Sequence, residues 1–312
     1  MPLITLFSAP KPFTDPHIAM IQRNAIQSWT LLPDIEIILL GEEAGLAETA
    51  QELGVRHIPE VACNESGVPL ISSMFQLARE NSNSELLCII NADMILMPDF
   101  VEAARTVFHG GRVAEGVSRP QHSNFVLLSQ RWDFDINQPI EFTEGWQDRL
   151  SSIVHRQGSL HRPAGSDFFL FPLSTFQEIP DFTIGRAGWD NWMIYKARAE
   201  GWAVIDCTPS IMIVHQNHDY AHLPDGKPHY EHPETNENIR LAGGQANVRY
   251  TILDATHQLV GGKLTRPKMT SLRFTRKLEL FLRAAFFFLP EDKIESIARP
   301  KRWRKRFKKL FK

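Results

Sequence analysis

The sequence predicts an α/β protein in which a mostly parallel central sheet is flanked by helices and followed by a C-terminal amphipathic helical extension. Three observations predict it. Up to about residue 110 the apolar pattern switches regularly between strand-like and helix-like periods, the order of successive βαβ units. The run Leu86-Leu87-Cys88-Ile89-Ile90 is apolar throughout, as a strand covered on both faces must be, and stops at Asn91-Ala92-Asp93. From residue 263 onward the chain turns basic, with 17 Lys and Arg against 4 Asp and Glu, a net of +13. The formal net charge of the whole is -2, so the preceding residues carry -15.

Strands are expected near 3–7, 35–40, 55–58 and 85–90. Between them, Thr14-Asp15-Pro16 caps and opens a helix ending near Leu32, Glu43 to Leu53 forms a helix closed by Gly54, and Pro69 opens one towards Asn81. Pro98 opens a fourth helix, which Gly110-Gly111 ends. Residues 112–130 hold two further strand candidates, and 131–165 reads as loop, with scattered aromatic residues, Pro, Gly and His and no sustained period. Order returns at Asp167-Phe168-Phe169-Leu170-Phe171, followed by a helix from Trp189 to Glu200 stopped by Gly201 and strands at 202–207 and 211–215. No internal repeat is present.

The extension holds two amphipathic stretches. Leu278, Phe281, Leu282, Ala285, Phe286 and Leu289 recur at helical spacing. After Pro300, Trp303, Phe307, Leu310 and Phe311 share one side, and Arg302, Arg304, Lys305, Arg306, Lys308 and Lys309 fill the other. Neither run reaches the roughly 20 residues that span a bilayer. An interfacial helix on an anionic membrane surface fits 263–312 better, and the plain alternative for 278–289 is a helix packed on the preceding domain. The domain expectation is therefore 1–262, in halves 1–110 and 111–262, and then the tail 263–312.

At 312 residues, 43% hydrophobic and 22% charged, the chain is globular in composition. Its start, Met1-Pro2-Leu3-Ile4-Thr5-Leu6-Phe7, reads as a first strand rather than a signal peptide, which gives the expectation of a cytoplasmic protein attached to the inner membrane face. Cys63, Cys88 and Cys207 lack the spacing of a disulfide framework or zinc knuckle.

Asp93, delivered to the C-terminal edge of a parallel sheet, stands where open α/β sheets bind ligands and offers the hard oxygen that Mg2+ or Mn2+ prefers. The simpler reading is a cap on the turn after a strand. Asp133-Phe134-Asp135 has a full Asp-any-Asp pattern and ranks second, because it opens the irregular segment. In Gly185-Arg186-Ala187-Gly188-Trp189-Asp190-Asn191-Trp192 a carboxylate sits in the first helical turn, where the dipole and amides favour its ionised form. His215-Gln216-Asn217-His218-Asp219-Tyr220-Ala221-His222 follows an apolar strand, and its three histidines could instead hold a structural zinc. Ser8 and Lys11 follow the first strand, and Gly67 precedes the third helix with amides that could face a phosphate.

In order along residues 1 to 260, these segments resemble the bacterial GT-A-fold glycosyltransferases, of the nucleotide-diphospho-sugar transferase superfamily. Asn91-Ala92-Asp93 is similar to that family's Asp-any-Asp element, with Asn91 in place of the first acid. The resemblance implies a GT-A-like, Rossmann-like sheet and transfer of a sugar from a nucleoside-diphosphate sugar to a hydroxyl acceptor, with inversion and with a divalent cation, Mn2+ or Mg2+. It places Ser8, Lys11, Gly67, Asn91 and Asp93 at the donor and Asp93 and His215 at the metal, with His218 as the alternative ligand. It makes Asp190 the general base and sets Trp189, Asn191, Trp192, Asp167 and His218 beside the sugar or acceptor. A glycan or lipid-linked precursor of a surface polysaccharide is the acceptor expected from the tail. Two rivals are a sugar nucleotidyltransferase, which should carry a Gly-rich loop after the first strand, and a non-catalytic lipid- or nucleic-acid-binding protein using the basic tail. Nucleic acid is the disfavoured partner. No dinucleotide fingerprint, P-loop or Gly-any-Ser-any-Gly elbow occurs.

Overall fold

The computed structural model describes residues 1–117, 124–218 and 232–286, together with Lys293. The expected cationic helix after Pro300, Leu289, and Asp219, Tyr220 and His222 lie outside the described residues. Elements run β1 (Ile4–Ser8), α1 (Pro16–Thr30), β2 (Ile35–Leu40), α2 (Leu46–Leu53), β3 (Arg56–Ile58), α3 (Ile71–Asn81), β4 (Leu86–Ile90), β5 (Met94–Ile95) and α4 (Pro98–Phe108). They continue with β6 (Arg112–Val113), β7 (Phe125–Leu128), β8 (Trp132–Phe134), α5 (Trp146–Gln157), β9 (Ser159–Leu160), β10 (Phe168–Pro172) and α6 (Trp189–Ala199). The last are β11 (Ala203–Asp206), β12 (Val214–Gln216), α7 (Pro233–Leu241), β13 (His257–Val260), β14 (Lys263–Thr265) and α8 (Ser271–Ala285).

Among the described residues the main sheet has ten strands in the order β3-β2-β1-β4-β10-β7-β11-β13-β14-β6. β1, β2, β3 and β4 are mutually parallel, and β10 enters antiparallel between β4 and β7. Side-chain alternation explains why the sheet is buried on both faces. Ile4 and Leu6, Leu86, Cys88 and Ile90, and Phe168 and Leu170 pack into one core with α1, α2 and α4. Phe7, Leu87 and Ile89, and Phe169 and Phe171 turn to the opposite core with α3 and α6. The chain is thus a mixed α/β protein with a large, mostly parallel sheet between helices.

A second sheet, β5-β12-β8-β9, lies over a smaller core of Ile95, Met97, Ile136, Trp146, Val154, Met212 and Val214. Here the expectation of a loop across 131–165 is corrected: β8, α5 and β9 occupy it. The helix was hidden because only Trp146 and Val154 of α5 are buried, too narrow a stripe to give a sustained period. The expected strand at 211–215 shortens to Val214–Gln216, after a turn at 208–210. The first compact unit runs through Pro267, past the boundary expected at 262, because β14 pairs with β13. The second unit, Lys268–Lys312, contains α8, capped by the Thr270 side chain accepting from the Arg273 amide. Phe274, Leu278 and Phe281 of α8 are exposed. No helix among the described residues is long and apolar enough to cross a membrane.

One partly buried acid joins α4 to the segment before β12. Asp99, in the first turn of α4, accepts the Met212 amide on Oδ2 at 2.9 Å, while its Oδ1 is buried without a hydrogen-bond partner among the described residues. Burial raises its pKa to about 6, against the opposing hydrogen bonds from the Met212 and Phe100 amides. A folded pKa above the unfolded one means that the native state holds the extra proton. Its contribution is therefore complete below pH ~4 and lost as pH rises through about 6. Asp99→Asn keeps the Met212 acceptor and removes the titration. Its stability relative to the parent chain is expected to rise by about 1.4 kcal/mol between pH 5 and pH 8, measured by urea unfolding at both pH values. An unchanged difference would refute this.

Candidate functional site

Because β1 and β4 are parallel, their C-terminal ends reach the same edge of the sheet. Ser8 Oγ closes β1 there by donating to the Ile90 carbonyl at 2.6 Å. That hydroxyl proton is committed to the sheet, so at the donor site expected for it Ser8 has only the acceptor capacity of its oxygen left. Two residues past Asn91 the chain turns into β5, and β5 pairs antiparallel with β12, setting Met94 opposite His215. The pairing is extended by the Gln216 amide donating to the Asp93 carbonyl at 3.2 Å.

Asp93, His215 and His218 are consequently brought together, each offering a ligand atom within 4.8 Å of the others. His218 Nε2 lies 3.2 Å and His215 Nε2 3.9 Å from Asp93 Oδ2. Lys11 Nζ lies 3.1 Å from His218 Nε2. Burial alone would raise the Asp93 pKa; the His218 hydrogen bond and the charges of His215 and Lys11 outweigh it and hold the carboxyl well below the usual range. Burial lowers the Lys11 pKa, with Asp93 opposing. His215 is raised despite burial, through Asp133 and Asp93. Asp93 Oδ1 is buried and has no hydrogen-bond partner among the described residues. An ionised carboxylate with an unsatisfied buried oxygen beside two imidazoles fits a divalent cation. His218, expected beside the acceptor or as a substitute ligand, therefore stands with Asp93 and His215 in the candidate metal-binding group.

Behind this trio lies a row of charges that sequence reasoning did not assemble. Arg131 Nε donates to Asp133 Oδ1 at 2.8 Å, and its Nη1 donates to Asp167. Asp133 Oδ2 meets His161 Nδ1 at 2.6 Å, and its Oδ1 lies 3.3 Å from His215 Nδ1. Burial opposes ionisation of Asp133, but His215, His161 and Arg131 together hold its pKa well below normal. Asn91 Nδ2 donates to Asp167 Oδ1 at 3.1 Å. This accounts for the amide at that position, since a carboxylate would face Asp167 directly. Nothing local in the sequence marks Arg131 or His161, whose partners come from other strands.

Asp190 sits partly buried in the first turn of α6, and Gly188, at φ 112°, supplies the N-cap conformation that a side chain would resist. The expectation that the helix N-terminus favours its ionised form is reversed in sign. Burial raises its pKa and Asp167 adds to the rise, outweighing hydrogen bonds from the Asn191, Ser166 and Gly188 backbone. Asp167 also acts on His215 electrostatically, so one charge bears on both the base candidate and the trio. Trp189 and Trp192, expected beside the sugar, lie largely in the core with their rings against Phe169 and Phe182, and Trp192 also lines a hollow with Phe75 and Lys196. Asn191 spends its amide on the Tyr250 carbonyl at 2.7 Å. Gly67, at φ 76°, serves a turn in which its amide donates to Asn64 O at 2.9 Å, so that amide is not available to a phosphate.

No family model matches the chain, and no curated protein matches it. Among solved structures, the mannosyltransferase PcManGT from Pyrobaculum calidifontis, in complex with GDP-Man and Mn2+, is 12% identical with a TM-score of 0.40. It covers 68% of this chain, and this chain spans 56% of that one, little more than half its length. Glucosyl-3-phosphoglycerate synthase from Mycobacterium tuberculosis, with phosphoglyceric acid, is 13% identical with a TM-score of 0.44, over 80% of this chain and 81% of that one. Its complex with Mn2+, UDP-glucose and phosphoglyceric acid gives 13%, 0.43, 78% and 80%. At such identities and TM-scores the chemistry rests on the residues of the site alone.

The Asn91–Asp167 contact yields a direct test. Asn91→Asp sets two carboxylates together in a buried corner and is expected to lower stability at pH 7 by about 1–3 kcal/mol, read by urea denaturation. Unchanged stability would show that Asp167 does not dictate the amide.

Proposed function

We propose that this chain is a glycosyltransferase that moves a sugar from a nucleoside-diphosphate sugar to a hydroxyl acceptor. The observation carrying the proposal is the Asp93–His215–His218 group, with Lys11 beside it, at the C-terminal edge of β1 and β4. A divalent ion held by those three residues would neutralise charge developing on the leaving diphosphate. The Lys11 ammonium, 3.1 Å from His218 Nε2, is placed beside the trio to bind phosphate oxygens. Asp190 is assigned as general base, taking the proton of the acceptor hydroxyl while that oxygen bonds to the anomeric carbon. The bond to the diphosphate breaks on the opposite face, its electron pair leaving with the diphosphate, so the anomeric configuration inverts. A raised pKa makes Asp190 a stronger base than an ordinary carboxylate.

The same proposal extends to the membrane. The exposed Phe274, Leu278 and Phe281 of α8, in a segment of net charge +13, support docking of residues 263–312 on an anionic bilayer face. The acceptor is then lipid-linked, a precursor of surface polysaccharide, and the enzyme works on the inner face of the cell membrane.

Thermal shift with nucleoside diphosphates and their sugars is expected to show stabilisation that Mn2+ enhances and Asp93→Ala abolishes. Asp190→Asn should keep that binding and lose turnover by about 10²–10⁴-fold, measured by donor consumption. Absence of stabilisation by any nucleotide would end the proposal. For the tail, Phe274→Ser with Phe281→Ser should weaken partition into phosphatidylglycerol-containing vesicles by at least roughly 10-fold in co-sedimentation, given the apolar area each phenyl buries. Equal partition by both chains would remove the membrane from the account.

A further inference from the structure

Asp133-Phe134-Asp135 carries the one complete Asp-any-Asp pattern weighed at sequence level, yet neither acid joins the metal-binding group. Phe134 packs on the third core, and the two acids flanking it in β8 and just beyond share the other side of the strand. β8 runs parallel to β12 in a register that sets Asp133 opposite His215. Asp133 Oδ1 lies 3.3 Å from His215 Nδ1. Asp135 Oδ1 accepts from Asn217 Nδ2 at 2.7 Å, and Asn217 Oδ1 lies 3.3 Å from the same His215 Nδ1.

The second of these contacts fixes an orientation. A carboxylate accepts only, so Asn217 must turn its NH2 to Asp135 and its carbonyl oxygen to His215. Nδ1 of His215 therefore faces two acceptors and carries the hydrogen. The other ring nitrogen, Nε2, is left with its lone pair on the side of Asp93 Oδ2, 3.9 Å away. Asp133 is itself committed: Arg131 Nε donates to its Oδ1 at 2.8 Å, and His161 Nδ1 meets its Oδ2 at 2.6 Å. Ligating an ion directly would cost it those partners. A histidine ligand whose second nitrogen donates to a carboxylate is oriented and made a better donor, and losing that partner commonly costs about 10–100-fold in metal affinity.

We infer that Asp133 and Asp135 are positioning residues, which clamp His215 Nδ1 directly and through Asn217 so that Nε2 is presented to a divalent cation. The inference rests on the reading of Asp93, His215 and His218 as a metal site, and its test separates the two.

In the metal-free, full-length, 15N-labelled chain, the two-bond 1H–15N histidine spectrum above the imidazole titration reports the clamp without any metal. His215 is expected as the Nδ1–H tautomer. Asp133→Leu with Asn217→Leu should release it, whereas Asp133→Asn, which retains an acceptor oxygen, should preserve it. Calorimetric titration with Mn2+ alone should then show affinity lowered about 10–100-fold in the double variant and within a few-fold of the parent in Asp133→Asn. Should the double variant not fold, Asp133→Ala with Asn217→Ala, which likewise removes both acceptors, is judged by the same spectrum and titration. An unchanged tautomer together with unchanged Mn2+ affinity in the released chain overturns the clamp. Failure of the parent chain to bind Mn2+, or equal binding by Asp93→Ala, strikes instead at the metal site, and the spectrum still judges the clamp.

Discussion

Two strands of two and three residues, β5 and β12, hold the site in place. Their antiparallel pairing sets Met94 opposite His215, and on that register depends every contact of Asp93 with an imidazole. Strands so short do not persist by themselves. Ile95 and Val214 secure them from below, buried in the third core with Trp146 and Met212. From the side, the Trp29 indole donates to the Met94 carbonyl at 2.8 Å. Gln216 is wholly buried and donates from Nε2 to the Ile21 and Asp93 carbonyls while its Oε1 accepts from Asn24. The backbone of Asp93 is thus pinned by buried amides, which fixes where its carboxylate meets His215 and His218.

Charge is the second constraint. Asp93, Asp133 and Asp167 occupy one region, and three carboxylates crowded there would not all ionise unaided. Arg131 lies between Asp133 and Asp167, with Asp93 also contributing to its raised pKa against burial. A guanidinium suits the role, since its planar fork serves two carboxylates at once and it does not deprotonate. Asn91 completes the arrangement by giving Asp167 a donor where another acid would repel it. The departure from a doubled acid at 91–93 follows from the presence of Asp167 on β10's entry, opposite the end of β4.

The parts legible in the sequence were those governed by local pattern. Alternation in β1 and β4, prolines at the starts of α1 and α4, and the polar stop after Ile90 placed Asp93 at the sheet edge. That His215 and His218 follow a strand was equally local. What escaped was pairing and burial. The narrow stripe of α5 hid a helix, and α7 was not foreseen, although Asn238 on it fixes the turn before α6 by exchanging hydrogen bonds with the Thr183 backbone. The burial of Trp189 and Trp192 was not legible, because a tryptophan pair around an acid looks the same whether it faces a ligand or a core. Only the two phenylalanine partners distinguish the cases. Asp133 was seen as a rival to Asp93, whereas strand register makes it the neighbour of His215.

The acids divide their work by environment. Asp93 and Asp133 lie among cations and donors that hold their pKa values down, so each is a firm anion and correspondingly a poor acceptor of a proton. Asp190 lies the other way: burial and the charge of Asp167 raise it against the backbone hydrogen bonds it accepts. In the proposed transfer the group that takes a proton must gain by taking it, and a carboxylate already stabilised by His218 and Lys11 gains little. Asp167 links the two behaviours, since the same charge that favours protonation of Asp190 supports the cationic form of His215. In that proposal the proton goes to residue 190 and the fixed negative charge stays at residue 93, a division set by the charges and burial around each acid.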